Sequence, residues 1–558
     1  MSTLKSEIRA SYGVNKLIDG EYDKNLSVKC ASGTYVGKES EDVISFRGIP
    51  YAKPPVGALR WKRPEPAEDS DKVFEAFYNG KTPVQTEIDS ERASCYPQGE
   101  DCLYLNIWTN ISCTDTDKTV MVFFHGGSYG WGGTADPLYN GENFVKTNPD
   151  VILVTVGYRV GLLGFVDFSK VKGGEEFPDS PNLGILDQIE SLRWVQKNIG
   201  AFGGNPQNVT IFGESAGGGS VSLLPIIDEA KGLFKRVIAQ SGSVALTFSK
   251  KECLGYTRKL LKGSGAESMD DLMKLSEDEI IALNNRLDLD NNFPQRDGKL
   301  IPLNPYESYK NGVTADIDML IGTNKNELNY WIGELGGIVP FRFGIPVKFE
   351  NDLKHLSKTD KRRVAKFLNG LKGHSMWKIA EFYNEVMFRL PALNQADYHS
   401  RNGGKVFMYF FTEPSTIKFR GACHAVELAY VFGNTNETIY TGSPGNKKLS
   451  IAIMTMWANF ARSGNPSLQK LVWEQYDTVN RATMMISKRP HIQYDILKRR
   501  RKLLSPLLRH MINASYTELD LNVPFVYKSA AKVLTLAAVT TAAVLIIKKV
   551  INTEDSRF

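Results

Sequence analysis

The run NVTIFGESAGGGS, residues 208–220, decides how this chain is read. Its first half is apolar and β-branched, as a buried strand requires. Its second half is Ala, Gly and Ser. At the junction stands Gly213-Glu214-Ser215-Ala216-Gly217, a G-x-S-x-G pattern. The pentapeptide alone recurs by chance. A strand before it and small residues after it make the pattern specific. A serine on a sharp strand-to-helix turn holds a strained backbone, and only small neighbours fit around it. Its Oγ then projects above the carboxyl edge of the sheet. The N-terminus of the next helix adds positive potential where an oxyanion develops. Ser215 is therefore the candidate nucleophile.

The flanking segments extend the pattern. TVMVFFHGG (119–127) and DVILVTVGYR (150–159) read as buried strands. LGILDQIESLRWVQKNIGAF (183–202) carries apolar residues at helical spacing. Strands alternating with helices predict an α/β fold, a large, mostly parallel central sheet flanked by helices. The loop His125-Gly126-Gly127-Ser128 follows the first of these strands. Its glycines let the backbone approach a carbonyl oxygen without an intervening Cβ, so its N–H groups are candidate donors to that oxygen.

Composition sets the outer limits. The 558 residues are 42% apolar and 23% charged, an ordinary globular balance. A net charge of +6 makes no case for nucleic acid as a partner. The basic run Lys498-Arg499-Arg500-Arg501-Lys502 is a solvated helix face on the plain reading, and a nuclear signal or an anionic-lipid patch on the sharper ones. Six cysteines include no Cys-x-x-Cys, so a zinc or redox site is not expected. Cys95 and Cys102 are close enough in sequence to bridge in an oxidising compartment. Residues 1–25 hold no apolar h-region, so no cleaved secretory signal is expected, and the Asn-x-Ser/Thr sites are expected to stay unglycosylated.

The other end differs. VLTLAAVTTAAVLII (533–547) is uncharged, preceded by Lys532 and followed by Lys548 and Lys549. Counted from Ser529, with Lys532 snorkelling, the stretch reaches the roughly 20 residues a bilayer needs. Residues 529–549 are therefore expected to be a C-terminal transmembrane or membrane-anchor helix, with 550–558 a polar tail. With no signal, the expected arrangement is a membrane-associated protein whose catalytic body faces the cytosol.

At this point the chain resembles a family, the type-B carboxylesterases and cholinesterases of the α/β-hydrolase fold. The resemblance spans about residues 28 to 495. It is carried by FRGIPYAKPPVGALRW (46–61), GEDCLYLNIW (99–108), the HGGS loop, GYRVGLLGF (157–165), NLGILDQ and LRWVQKNIGAFGGNPQNVTIFGESAGG. IAQSGS, DGKLIP and MWANFARSGNP follow in order. It implies a hydrolase body at 28–528 behind an N-terminal extension at 1–27. It implies a Ser–Glu–His triad, matched by Ser215, by Glu327 in IGTNKNELNYW and by His424 in GACHAVELAYVFG. It implies oxyanion donors at Gly127, Ser128 and Ala216, with Gly126 and Ser241 in support. Ser128 stands where the family commonly has glycine. Arg47 with Glu100, and Arg159 with Asp187, are similar to its buried structural ion pairs. Only six residues separate Cys95 from Cys102, where the family's first disulfide spans a long loop. That loop is where cholinesterases place a tryptophan for the quaternary ammonium, so choline esters are not the expected substrate.

The activity implied is hydrolysis of carboxylic esters through an acyl-enzyme on Ser215, with a small-molecule ester as substrate and no metal or organic cofactor. Two alternatives stay open. In one, a bound alcohol replaces water and the chain is an acyltransferase. In the other, the chain is a non-catalytic interaction protein of the neuroligin type.

Overall fold

Strand β-branching and two-sided burial build the centre of the molecule. The computed structural model describes residues 8–85, 96–287, 293–334, 337–354 and 356–510. Its main sheet has eleven strands. In chain order they are β1 (Lys38–Ser40), β2 (Val43–Pro50), β3 (Tyr104–Asn110), β4 (Lys118–Phe124), β5 (Val151–Val156) and β6 (Gly204–Glu214). They continue with β7 (Arg236–Gln240), β8 (Asp318–Asn324), β9 (Val406–Phe411), β10 (Ala482–Ile486) and β11 (His491–Tyr494). The spatial order is β11-β10-β9-β8-β7-β6-β4-β5-β3-β2-β1. From β10 across to β5 every pairing is parallel. The strands at both edges pair antiparallel. The expected sheet is thus present, mostly parallel at its centre and mixed at its margins.

Each central strand is buried on both faces. In β4, Val120, Val122 and Phe124 face one core while Met121 and Phe123 face the other. The first core lies under the helix Leu183–Asn198, of which only Arg193 and Lys197 are exposed. The second lies under the helix Lys447–Ser463, which puts Ile453, Met456, Trp457 and Phe460 on the sheet. Helices on both faces leave only the strand ends open to ligands, and in such sheets the site lies at the carboxyl ends. The carboxyl ends of β4, β6, β7 and β8 run directly into His125, Ser215, Ser241 and the Glu327 turn.

Residues N-terminal to the sheet lie along the body. Ile18 N donates to Val73 O at 2.9 Å, and the Asn15 side chain bonds Arg47 O, Tyr78 O and the amides of Phe77 and Tyr78.

Of the two expected buried ion pairs, Arg159–Asp187 forms, with contacts of 2.6 and 2.8 Å and both side chains buried. Arg47–Glu100 does not. Glu100 is held by Arg60 instead, at 2.5 and 2.7 Å. Arg47 sits in β2, and the carboxylate whose charge acts on it is Glu142. Its Nε has no hydrogen-bond partner among the described residues. The Gly57–Leu59 turn, not the strand, delivers the arginine to Glu100.

Two expectations fall on residues outside those described. Cys95, the expected partner of Cys102, is one; Cys102 is buried and pairs with no other cysteine among the described residues. The anchor at 529–549 is the other. Among the described residues no helix is long and apolar enough to cross a membrane.

Candidate active site

Ser215 caps the helix Ala216–Leu223 at φ 58° and ψ −119°, a conformation that costs about 1–3 kcal/mol for a residue with a side chain. The turn is tight enough to explain its neighbours. A Cβ on Gly217 would lie 1.9 Å from Phe124 O, and one on Gly126 would lie 3.1 Å from Ser215 Cβ. Ser215 N donates to Gln240 O at 2.8 Å, which ties the turn to the adjoining strand β7. The elbow is therefore built by crowding from β4 and β7, and its serine is tied to β7 by one backbone bond and to its helix by another, from Gly219 N.

The acid and the base arrive from other strands. Glu327 opens a short turn three residues beyond β8 and is fully buried. Its Oε2 lies 2.7 Å from His424 Nδ1. Its Oε1 accepts from Ser241 Oγ at 2.7 Å and from Asn324 N at 2.6 Å. His424 N also donates to Glu327 O at 3.3 Å. Three donors to one buried carboxylate fix its plane, and so fix the imidazole. Glu327, His424 and Ser241 are thereby brought together, and Ser215 adjoins them through its bond to Gln240, the residue before Ser241.

The His424 ring is enclosed by aromatics. Trp331 stacks on it at 5.7 Å between centroids, Tyr330 meets it edge-on at 5.9 Å, and Phe388 lies at 5.0 Å. Phe388 comes from a π-helical turn, Asn384–Arg389. Asn384 in the same turn accepts from Leu328 N at 2.8 Å, beside Glu327. One irregular turn thus presses on the base and steadies the acid loop.

Sequence reasoning passed over two further carboxylates. Glu214 Oε1 lies 3.2 Å from His424 Nε2, without the alignment of a hydrogen bond. Glu427 accepts from Gln240 and Asn324. Burial opposes a charge on His424, but Glu214 and Glu327 outweigh it and push His424 up to about 9. Burial, with Glu427 and Glu327 adding repulsion, pushes Glu214 up to about 8 despite the pull of His424. Burial and Glu327 raise Glu427 as well. Both shifts favour the protonated forms, so around neutral pH Glu214 and His424 each retain a proton. Their available signals were thin: Glu214 is the variable residue of G-x-S-x-G, and Glu427 follows His424 by three.

The HGGS loop folds back on itself. Gly130 N and Trp131 N both donate to Gly127 O. Gly127 holds φ 109° and a Cβ there would meet Trp131 O at 2.1 Å. Ser128 holds φ 53°, the region where glycine is cheapest. Among the described residues, the amides of Gly127, Ser128 and Ala216 donate to no protein acceptor. His125 is buried, and burial depresses it to about 4. It stacks on Tyr158 at 4.4 Å, and its Nδ1 lies 2.8 Å from Gly126 O. A neutral imidazole there shapes the loop.

A serine on the strand-to-helix turn of a mostly parallel, helix-flanked sheet defines the molecule as an α/β-hydrolase. Residues 24–503 match the carboxylesterase family. The chain belongs to that family, and its activity class is carboxylic-ester hydrolysis. It is 33% identical over 492 residues to para-nitrobenzyl esterase of Bacillus subtilis (strain 168), covering 85% of this chain and 97% of that one. It is 33% identical over 519 residues to the liver carboxylesterase of Sus scrofa, covering 80% and 86%. The solved Geobacillus stearothermophilus carboxylesterase EST55 superposes with a TM-score of 0.77 at 31% identity, over 86% of this chain and 99% of that chain.

Proposed function

We propose that Ser215, His424 and Glu327 carry a two-step ester hydrolysis, with Gly127, Ser128 and Ala216 as oxyanion donors. The observation that carries this reading is the 2.7 Å Glu327–His424 bond beside a serine held at positive φ. His424 accepts the Ser215 proton as Oγ attacks the ester carbonyl. The competent form has a neutral imidazole, reached as His424 loses its proton. Glu327 keeps Nδ1 protonated and stabilises the imidazolium that forms. The three amides hold the tetrahedral oxyanion. His424 gives its proton to the leaving alcohol, and the acyl group stays on Ser215. Water then attacks under the same base, releasing the acid. Gly126 leaves the space above Ser215 Cβ open, and Ser241 fixes Glu327.

The working division is a hydrolase body at 28–528, an N-terminal extension before it, and an apolar segment at 529–549 that anchors the body to a membrane on its cytosolic side. The flanking lysines and uncharged run support that anchor.

Turnover of a p-nitrophenyl ester by the purified chain, repeated with Ser215→Ala, tests the hydrolase. Turnover that survives the substitution sinks it. Product analysis with added alcohols separates hydrolysis from acyl transfer. Carbonate extraction of membranes carrying the full chain tests the anchor, which fails if the protein is released.

A further inference from the structure

The helix Lys358–Asn369 turns Asp360, Val364 and Phe367 inward. Lys358, Lys361, Arg362 and Lys366 lie on its opposite, exposed stripe. The helix Lys498–Leu504 packs beside it. Arg500 sits over the Phe367 ring at 5.9 Å, and the Arg499 guanidinium lies 3.7 Å from where a Gly370 Cβ would stand. Arg509, farther along, bonds Asp360 at 2.6 Å. The second segment therefore runs along the first, from its carboxyl end back toward its amino end. The neutralised members of the basic run are Lys498 and Arg501, both on Asp495, and Arg500, on Glu381 and Glu385. Arg499 and Lys502 form no ion pair with a described residue. Nor do Lys358, Lys361, Arg362, Lys366 or Lys372, all exposed. The only carboxylate within residues 357–378 is Asp360, which is buried and held by Arg509. Six unneutralised cations thus stand exposed on two adjoining helices, and Lys372 follows just past the first.

We infer that this face docks against an anionic lipid surface. An exposed basic patch attracts any polyanion; the apolar run that follows in the chain favours the bilayer. The described chain leaves this face at residue 510, and the apolar run 533–547 follows after residues 511–532. Even fully extended, that connector spans no more than about 75 Å, so a bilayer holding the run stays within reach of the basic face. A single weak apolar anchor and a polybasic surface are complementary membrane signals. Screening is weak only within about 8 Å at physiological salt, so the stripe acts when it lies against the headgroups. The choice of lipid over nucleic acid rests on the anchor reading above; the charge cluster does not.

The test measures partition of the full chain onto vesicles of neutral phosphatidylcholine, and onto vesicles with about 30% phosphatidylserine, at 0.15 M and 1 M salt. The comparison variant is K358Q/K361Q/R362Q/K366Q, with Lys29, Lys231, Lys274 and Lys470 changed to Gln as a control of equal charge. Hydrolysis of a soluble ester at the wild-type rate shows that each variant is folded. Each cation at an anionic leaflet contributes on the order of fivefold, so the four together give about 600-fold. The expected result is anionic preference in the wild type and the control, lost in the stripe variant and at 1 M salt. Binding to anionic but not neutral vesicles refutes the anchor and leaves this inference standing. Equal partition onto both vesicles, preference retained by the stripe variant, or tighter binding to duplex DNA than to anionic vesicles at the same salt would overturn it.

Discussion

Glu214→Gln changes one charge and almost no volume, and it separates the electrostatics of the base from its placement. In the native chain Glu214 Oε1 is 3.2 Å from His424 Nε2. Even at the dielectric of water, a unit charge at that distance is worth about 1.3 kcal/mol, or about one pKa unit. Burial makes that a lower bound. Only neutral imidazole accepts the Ser215 proton, so kcat/KM rises with pH as His424 loses its proton, and flattens above about 9, where His424 titrates. Removing the neighbouring negative charge makes the imidazolium less stable. The rising limb in Glu214→Gln therefore moves to lower pH by at least about one unit. The assay is kcat/KM for a p-nitrophenyl ester from pH 5 to 10, with acid production followed by titration where the phenol signal changes. An unshifted limb, or one moved to higher pH, refutes the assignment of Glu214 as the charge that raises His424.

Other substitutions probe separate links. Ser241→Ala removes a 2.7 Å bond to a buried carboxylate, worth about 1.5–3 kcal/mol, so kcat falls about tenfold to hundredfold while KM stays near its native value in steady-state kinetics. Gly217→Ala forces a Cβ to 1.9 Å from Phe124 O and lowers stability by about 2–3 kcal/mol, read as a lower urea midpoint. Arg159→Ala leaves Asp187 buried without its partner and costs about 3–5 kcal/mol in the same unfolding assay.

Some of this was plain in the sequence because the physics is local. The elbow is crowded, so it demands small residues within a few positions of Ser215. The central strands are buried on both faces, so they read as unbroken apolar runs. Glu327 and His424 are different. They follow Ser215 by 112 and 209 residues, and only the parallel order β6-β7-β8-β9 brings their loops together. Family resemblance supplied them; no local pattern does. Glu214 was hidden because a variable motif position carries no signal of what its side chain meets. The misassigned partner of Glu100 has a similar cause. A basic residue in a strand and one after a turn are equally good candidates until the direction of each side chain is known. The π-helical turn at Asn384–Arg389 also left no trace, since its periodicity differs from an ordinary helix by a single residue.

The central claim is an acyl group carried on Ser215. Acid quenching during turnover of a slowly hydrolysed p-nitrophenyl ester, followed by peptide mass spectrometry, tests it directly. The expected result is one acyl mass per chain, on the peptide containing Ser215, absent from Ser215→Ala. Steady turnover with the acyl mass on another residue, or with full activity in Ser215→Ala, would contradict it.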